Sequence, residues 1–147
     1  MALFFVASRL TRGDFHRRYP PKPNPVHEGS CKIMDIGETI YVTSRTEWRR
    51  WLEKNHASRD EIWLVQYKKA TKKPSINYLD AVEEAICFGW IDSFEKSMDS
   101  ERYSIRFSPR RSKSKWTETN MQRARKMEAD GKMTDVGRAK LPPDMKE

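Results

Sequence analysis

The sequence of 147 residues has few cysteines, few glycines and no long hydrophobic run. Two cysteines are too few for a disulfide scaffold and suit a reducing compartment, so we expect a cytoplasmic protein. No apolar run approaches the ~18 residues that a transmembrane helix needs, which predicts no membrane span. None of the six glycines stands in the spacing of a phosphate-binding loop. The five Trp, five Tyr and six Phe in turn exclude a wholly disordered chain.

Positive charge is in excess, and it is unevenly distributed. The formal net charge is +8. Residues 1–33 carry six Lys and Arg against two acidic residues, and residues 102–126 carry nine against one. The remaining segments are slightly acidic. The charge therefore points to a local anion-attracting face and not to a uniformly basic protein.

The first 33 residues differ in composition from the rest of the chain. The apolar run 2–6 is too short for a signal-peptide core, although the Arg-rich start loosely matches an organelle transit peptide. Four prolines between Pro20 and Pro25 exclude helix and sheet there. We therefore predict a disordered N-terminal extension over 1–33 and a single domain over 34–147.

Hydrophobic periodicity within the domain alternates between strand and helix patterns. It predicts the order β-α-β-α-β-β-α-α. Ser44 should cap the first helix, and residues 62–67 should form a buried strand. An amphipathic helix should run from Tyr78 and end at Gly89, followed by a hairpin over 90–107 and a helix capped by Thr117. The expected fold class is α+β: a small, mainly antiparallel sheet packed with three to four helices.

Catalytic and metal-binding patterns are missing. The three histidines and two cysteines lack metal-ligand spacing, which predicts no metal site and no cofactor. Cys87 falls at a helix C-terminus, which favours a buried apolar role over a reactive thiolate. Glu83 and Glu84 are sequential on the flank of a helix and do not face each other as an acid–base pair.

Asp92 is the most notable ionisable residue. It follows Ile91 in an apolar neighbourhood, where a carboxylate needs a cationic or amide partner. Arg102 or Arg106 on the adjacent strand could supply it, and an ion pair that fixes the hairpin is the simplest outcome. The candidate ligand-binding set is Trp90, Asp92, Arg102, Tyr103, Arg106 and Arg110.

The basic window offers a second possible function. Its cations are interleaved with aromatic residues, a combination that could follow a phosphate backbone, although a solvated cationic face is the commoner explanation. The residues for this alternative, a nucleic-acid interface, are Arg110, Arg111, Lys113, Lys115 and Arg123.

One string of residues resembles a known family. It runs from Tyr78 to Asp92 and contains the segment Cys-Phe-Gly-Trp-Ile-Asp. Further agreements are Asp99, Arg102 and Tyr103, the run from Arg106 to Arg110, and Ser114, Trp116, Thr117 and Asn120. From about Tyr41 to Lys140 the chain resembles the bacteriocin-protection, or YdeI/OmpD-associated, family. Because members of that family usually continue into a further helical segment, the resemblance implies a C-terminally short member.

The resemblance implies a role in tolerance of bacteriocins and antimicrobial peptides, and it supplies no catalytic residues. Our leading hypothesis is a non-enzymatic binding module for an anionic ligand or a protein partner. The alternatives are the nucleic-acid interface above and an enzyme that holds a small acidic substrate with Asp92 and the strand arginines.

Overall fold

The computed structural model describes residues 35–146, so the predicted extension over 1–33 lies outside the described residues. Four strands and four helices follow the predicted order, with a 3₁₀ turn at Lys69–Thr71 and another at Pro143–Met145. The strands are β1 (Thr39–Ile40), β2 (Ile62–Tyr67), β3 (Trp90–Ser97) and β4 (Arg102–Pro109). The helices are α1 (Arg45–Asn55), α2 (Tyr78–Cys87), α3 (Glu118–Ala129) and α4 (Asp135–Ala139). The predicted α+β class is confirmed.

The strands form one mixed sheet in the order β1-β2-β4-β3. β1 pairs with β2 in parallel, whereas β4 is antiparallel to both β2 and β3. The predicted hairpin is therefore present as β3 and β4. β3 has one neighbour and forms an edge of the sheet, and its register shifts between Asp92 and Glu95.

Local side-chain chemistry fixes the helix ends. The Ser44 hydroxyl accepts a hydrogen bond from the backbone N–H of Glu47, and the Thr117 hydroxyl caps α3 in the same way through Asn120. α2 ends before Gly89, which has φ +72°, a conformation that favours glycine. The turn at Gly89 sends the chain directly into β3.

The core lies between one face of the sheet and the helices. Ile62, Leu64, Ile105 and Phe107 line that sheet face and are buried. The Phe107 ring meets Trp48 of α1 edge-on, with 5.2 Å between ring centroids. Each such buried side chain contributes roughly 1.5–3 kcal/mol through apolar burial.

A cluster of buried charge joins three helices. Glu83 and Glu84 are 2% and 1% exposed, although the sequence had placed them on a flank of α2. Glu83 pairs with Arg45 and Lys126, each at 2.8 Å. Glu84 pairs with Arg45 at 2.8 Å and Arg49 at 2.7 Å. The burial of Glu83 and Glu84 was not predicted, because the compensating cations come from α1 and α3, which periodicity within α2 does not reveal. We call these five residues the glutamate cluster.

Among residues 35–146, no helix combines the length and the apolar character needed to cross a membrane.

Candidate anion-binding site at Arg110

Arg110 directly follows β4 and is only 2% exposed. Its backbone N–H donates to the carbonyl of Gly89 at 2.8 Å, which ties it to the turn that precedes β3. Its guanidinium carbon lies 3.7 Å from the centroid of the Trp116 ring, and the indole Nε1–H of Trp116 donates to the carbonyl of Lys140 at 3.1 Å. The arginine is thus held against an indole that is itself fixed.

The guanidinium of Arg110 is only partly satisfied. Its Nη1 donates to the hydroxyl of Ser114 at 2.7 Å. Its Nε and Nη2 are buried and have no hydrogen-bond partner among the described residues. Since Nε–H and one N–H of Nη2 point in the same direction, these two nitrogens form a complete two-pronged edge that matches a carboxylate or a phosphate.

Burial and one nearby carboxylate set the charge state of Arg110. Loss of hydration lowers the pKa of the guanidinium to about 10, and the charge of Asp92 partly opposes that shift. A pKa of about 10 leaves the side chain cationic at neutral pH. A buried cation with two free donors is costly, and binding of an anion would offset the cost.

Asp92 and Tyr78 form a hydrogen-bonded pair beside Arg110. The Tyr78 hydroxyl donates to Oδ2 of Asp92 at 2.6 Å. Desolvation, together with this bond, raises the pKa of Tyr78 to about 12, while the charge of Arg123 acts in the opposite direction. Tyr78 remains 46% exposed, so the pair lies at the surface. We call Tyr78, Asp92, Arg110, Ser114 and Trp116 the Arg110 cluster.

The expected ion pair between Asp92 and a strand arginine is not formed. Asp92 lies opposite Phe107 in the ladder and shares the helix-facing side of the sheet with it. Arg106 and Arg102 project from the other side, since successive residues of a strand alternate. Arg106 pairs with Glu61, and Arg102 pairs with Asp99 at 2.8 Å. The sheet therefore separates Asp92 from both arginines, which removes the geometry that an enzyme built on these three residues would need.

The other members of the predicted ligand-binding set lie apart. Trp90 is 1% exposed, and its Nε1–H donates to the carbonyl of His56 at 3.3 Å, so it belongs to the core. Tyr103 is half-buried near the opposite end of β4 from Arg110. Of the six predicted residues, the structure brings Asp92 and Arg110 together.

The residues of the nucleic-acid alternative are divided as well. Arg110 is buried, whereas Arg111, Lys113 and Lys115 are exposed on the segment between β4 and α3. Arg123 lies on α3, where its Nη1 donates to the amide oxygen of Asn120 at 2.9 Å.

Cys87 and the residue types that ligate metals are the remaining candidates that the sequence offers. Cys87 is buried, its thiol donates to the carbonyl of Glu83 at 3.3 Å, and burial raises its pKa to about 11. The preference for a buried apolar role at Cys87 is confirmed. Within residues 35–146, no three His, Cys, Asp or Glu side chains are grouped to hold a metal ion.

Comparison with known proteins gives one family. A family model described as a domain of unknown function, DUF8412, matches residues 40–140. The chain belongs to this family. The comparisons with curated proteins and with solved structures gave no match. The DUF8412 match begins in β1 and ends just after α4, and every residue of the Arg110 cluster lies inside it.

Three residues of the Arg110 cluster, Tyr78, Ser114 and Trp116, are absent from the sets predicted from the sequence. The sequence places Tyr78 at the start of an amphipathic helix, and it places Ser114 and Trp116 in the basic window. All three stand in the motif residues quoted above for the resemblance, which is the signal that could have found them. Chain spacing could not, since Tyr78 meets Asp92 only after α2 has turned at Gly89 into β3.

Proposed function

We propose that this chain is a non-enzymatic binding protein and that it holds a carboxylate or phosphate group of its ligand on the Nε–Nη2 edge of Arg110. The observation that carries the proposal is the unpartnered edge of a cationic side chain that is 2% exposed. Charge-assisted two-pronged hydrogen bonds are among the strongest contacts that an arginine makes.

The surroundings of the guanidinium support this role. Trp116 and Ser114 fix its plane and one of its nitrogens, so little side-chain entropy remains to be lost when an anion binds. The exposed Tyr78–Asp92 pair lies at the rim and can discriminate among ligands, because a carboxylate there repels a second negative charge.

The ligand reaches the edge through a movement of the segment between β4 and α3. Neither free nitrogen contacts solvent in this structure. Residues 111–116 contain no helix or strand, and their turn is closed by a hydrogen bond from the Ser114 N–H to the Arg111 carbonyl at 3.0 Å. Outward movement of such a segment breaks few backbone hydrogen bonds.

We also propose a protective role of the kind implied by the resemblance to bacteriocin-protection proteins. The support is the motif itself: its residues Tyr78, Asp92, Arg110, Ser114 and Trp116 are distant in sequence, and they lie together in the fold. Such a protein would act by binding.

The test uses the full chain labelled with ¹⁵N and titrated with sodium phosphate and with sodium acetate, with chloride added to keep the ionic strength constant. We expect the Nε–H resonance of Arg110 to shift in a saturable way, because a new acceptor meets that proton. Arg110→Lys keeps the charge but has no two-pronged edge, and it should weaken binding about tenfold or more. Arg102→Lys, a matched change at an exposed arginine, should bind as the wild type does. Equal binding by Arg110→Lys and the wild type, or an unshifted Arg110 resonance, would overturn the proposal.

A further inference from the structure

A groove lies on the opposite side of the hairpin from the Arg110 cluster. Its volume is about 740 Å³, and its lining includes Ser93, Phe94, Arg106, Ser108, Arg111 and Lys113. Arg106 and Ser108 project from the sheet face that turns away from the core helices. The groove is therefore distinct from the free edge of Arg110, although Ser114, which accepts a hydrogen bond from Nη1 of Arg110, also lines the groove.

A β-bulge in the edge strand presents Phe94 to this groove. Asp92 pairs with Phe107 and Glu95 pairs with Ile105, so Ser93 and Phe94 together oppose the single residue Arg106. Bulges of this kind redirect side chains and are common beside functional sites. Phe94 is 54% exposed, the largest exposed fraction among the exposed large hydrophobic residues of the described chain. A phenyl ring displayed on an edge strand offers a flat apolar face to a ligand.

The charges of the groove are complementary to an anion. Arg111 and Lys113 are exposed, and neither forms an ion pair with a carboxylate of residues 35–146. Arg106 is already paired with Glu61, and its Nη1 also donates to the hydroxyls of Ser93 and Ser108, each at 3.3 Å. Asp60 supplies the carboxylate of the lining. Two free cations beside an exposed aromatic ring are the combination by which proteins bind the bases and phosphates of single strands.

We infer that this groove binds nucleotides, with a base stacked on Phe94 and the attached phosphate held by Arg111 and Lys113. The inference goes beyond the proposed function, since it uses neither Tyr78, Asp92 nor the guanidinium of Arg110. It also changes the residues of the nucleic-acid alternative: Phe94, Ser93 and Ser108 are added, and Arg110, Lys115 and Arg123 are removed. The nucleotide could be free or part of a single strand, and the experiment separates these two sources.

The experiment measures binding of the full chain to an end-labelled deoxythymidine decamer by fluorescence anisotropy, over a series of salt concentrations. We compare it with an abasic decamer of equal charge and with free deoxythymidine monophosphate as a competitor. If stacking contributes, the abasic decamer should bind about tenfold more weakly or worse. Competition by the monophosphate would assign the groove to free nucleotides, whereas binding of the decamer without such competition would assign it to single strands.

Variants then locate the contact. Phe94→Leu keeps an apolar side chain but lacks an aromatic ring, so it should bind both decamers equally, and Phe94→Trp should restore the preference for bases. The double variant Arg111→Gln, Lys113→Gln should lower the log–log salt slope by about 0.7 for each phosphate contact removed. Arg50→Gln, Lys54→Gln removes the same charge from exposed positions of α1 outside the groove and serves as the matched control. Wild-type behaviour of Phe94→Leu, equal effects of the two double variants, or no binding at low salt would overturn the inference.

Discussion

Within residues 35–146, charge is buried in two places, and the two places differ in how many partners the charge has. In the glutamate cluster, every carboxylate oxygen of Glu83 and Glu84 has a cationic donor within 2.8 Å. In the Arg110 cluster, a guanidinium that is 2% exposed has one hydroxyl acceptor, one aromatic ring and two free nitrogens. A complete set of partners serves to join helices. An incomplete set leaves part of the cost of burial uncompensated, and this is the cost that the proposed ligand would offset.

The largest effect is expected where the partners are complete. Glu84→Gln removes the charge that Arg45 and Arg49 share, and both arginines stay close to a site that is 1% exposed. Breaking a buried pair by removing one partner costs about 3–5 kcal/mol, and because the two arginines are partly exposed we expect about 3 kcal/mol. Urea unfolding of Glu84→Gln and of the wild type at neutral pH measures this loss of unfolding free energy.

The control for Glu84→Gln is Glu53→Gln on the same helix as Arg49. Glu53 is 53% exposed and lies 3.4 Å from Arg49. Its loss should cost no more than about 0.5 kcal/mol. If the two substitutions have equal effects, the glutamate cluster is not the structural centre that the geometry indicates.

The next effect is a dependence on pH. Burial alone would raise the pKa of Glu83, but the hydrogen bonds from Lys126 and Arg45 outweigh it and the pKa is lowered. A carboxyl with a lowered pKa in the folded state contributes stability above its unfolded pKa of about 4.3, and this contribution is lost as the pH falls through the folded pKa. The free energy of unfolding should therefore fall below about pH 4.3, and it should fall less steeply in Glu83→Gln.

Unfolding in urea from pH 7 to pH 3 tests this dependence. Glu118→Gln, at an exposed carboxylate of α3, should retain the steep wild-type profile. A profile for Glu83→Gln that coincides with the wild-type profile would show that acid unfolding originates elsewhere.

How much of the fold and of the site could be predicted from the sequence depends on how far apart in the chain the contacting residues lie. Ser44, Thr117 and Gly89 act on backbone groups a few residues away, so spacing alone predicts their roles correctly. The partner of Asp92 depends on the face of the sheet on which each residue lies. Side chains alternate along a strand, so the sequence predicts that Arg102 and Arg106 share one face of the sheet. Whether Asp92 lies on that face is set by the register between β3 and β4.

Buried charge is harder still to predict. Glu83 and Arg110 both have charged side chains, and residues of this kind usually lie at the surface. They are buried because distant elements cover them. Arg45 and Lys126 reach Glu83 from other helices, and Trp116 covers Arg110 from the segment that precedes α3. Periodicity within one helix or strand contains no information about such contacts.

A smaller effect is expected where the partners are incomplete. Arg110→Met removes a buried cation together with one hydrogen bond, and methionine can keep a sulfur contact with Trp116. Because replacing a poorly compensated buried charge by an apolar side chain is often close to neutral, we expect the free energy of unfolding to change by less than about 1 kcal/mol. Arg45→Met, in the glutamate cluster, should lose several times more. Equal losses in the two variants would mean that Arg110 is a structural residue.

The smallest effect concerns the exposed rim of the Arg110 cluster. Tyr78→Phe removes a hydrogen bond to Asp92 at a tyrosine that is 46% exposed, and water can replace that bond. The free energy of unfolding should therefore fall by about 0.5 kcal/mol, as measured by urea unfolding.

The same hydrogen-bonded pair has a larger effect on the pKa of Tyr78 than on stability. Asp92→Asn removes both the carboxylate acceptor and its negative charge, so the pKa of Tyr78 should fall from about 12 towards its ordinary value. Ultraviolet titration, taken as the difference between chains with and without Tyr78, isolates this one phenol. A Tyr78 pKa that stays near 12 in Asp92→Asn would show that desolvation alone raises it and that Asp92 does not act on the Tyr78 phenol.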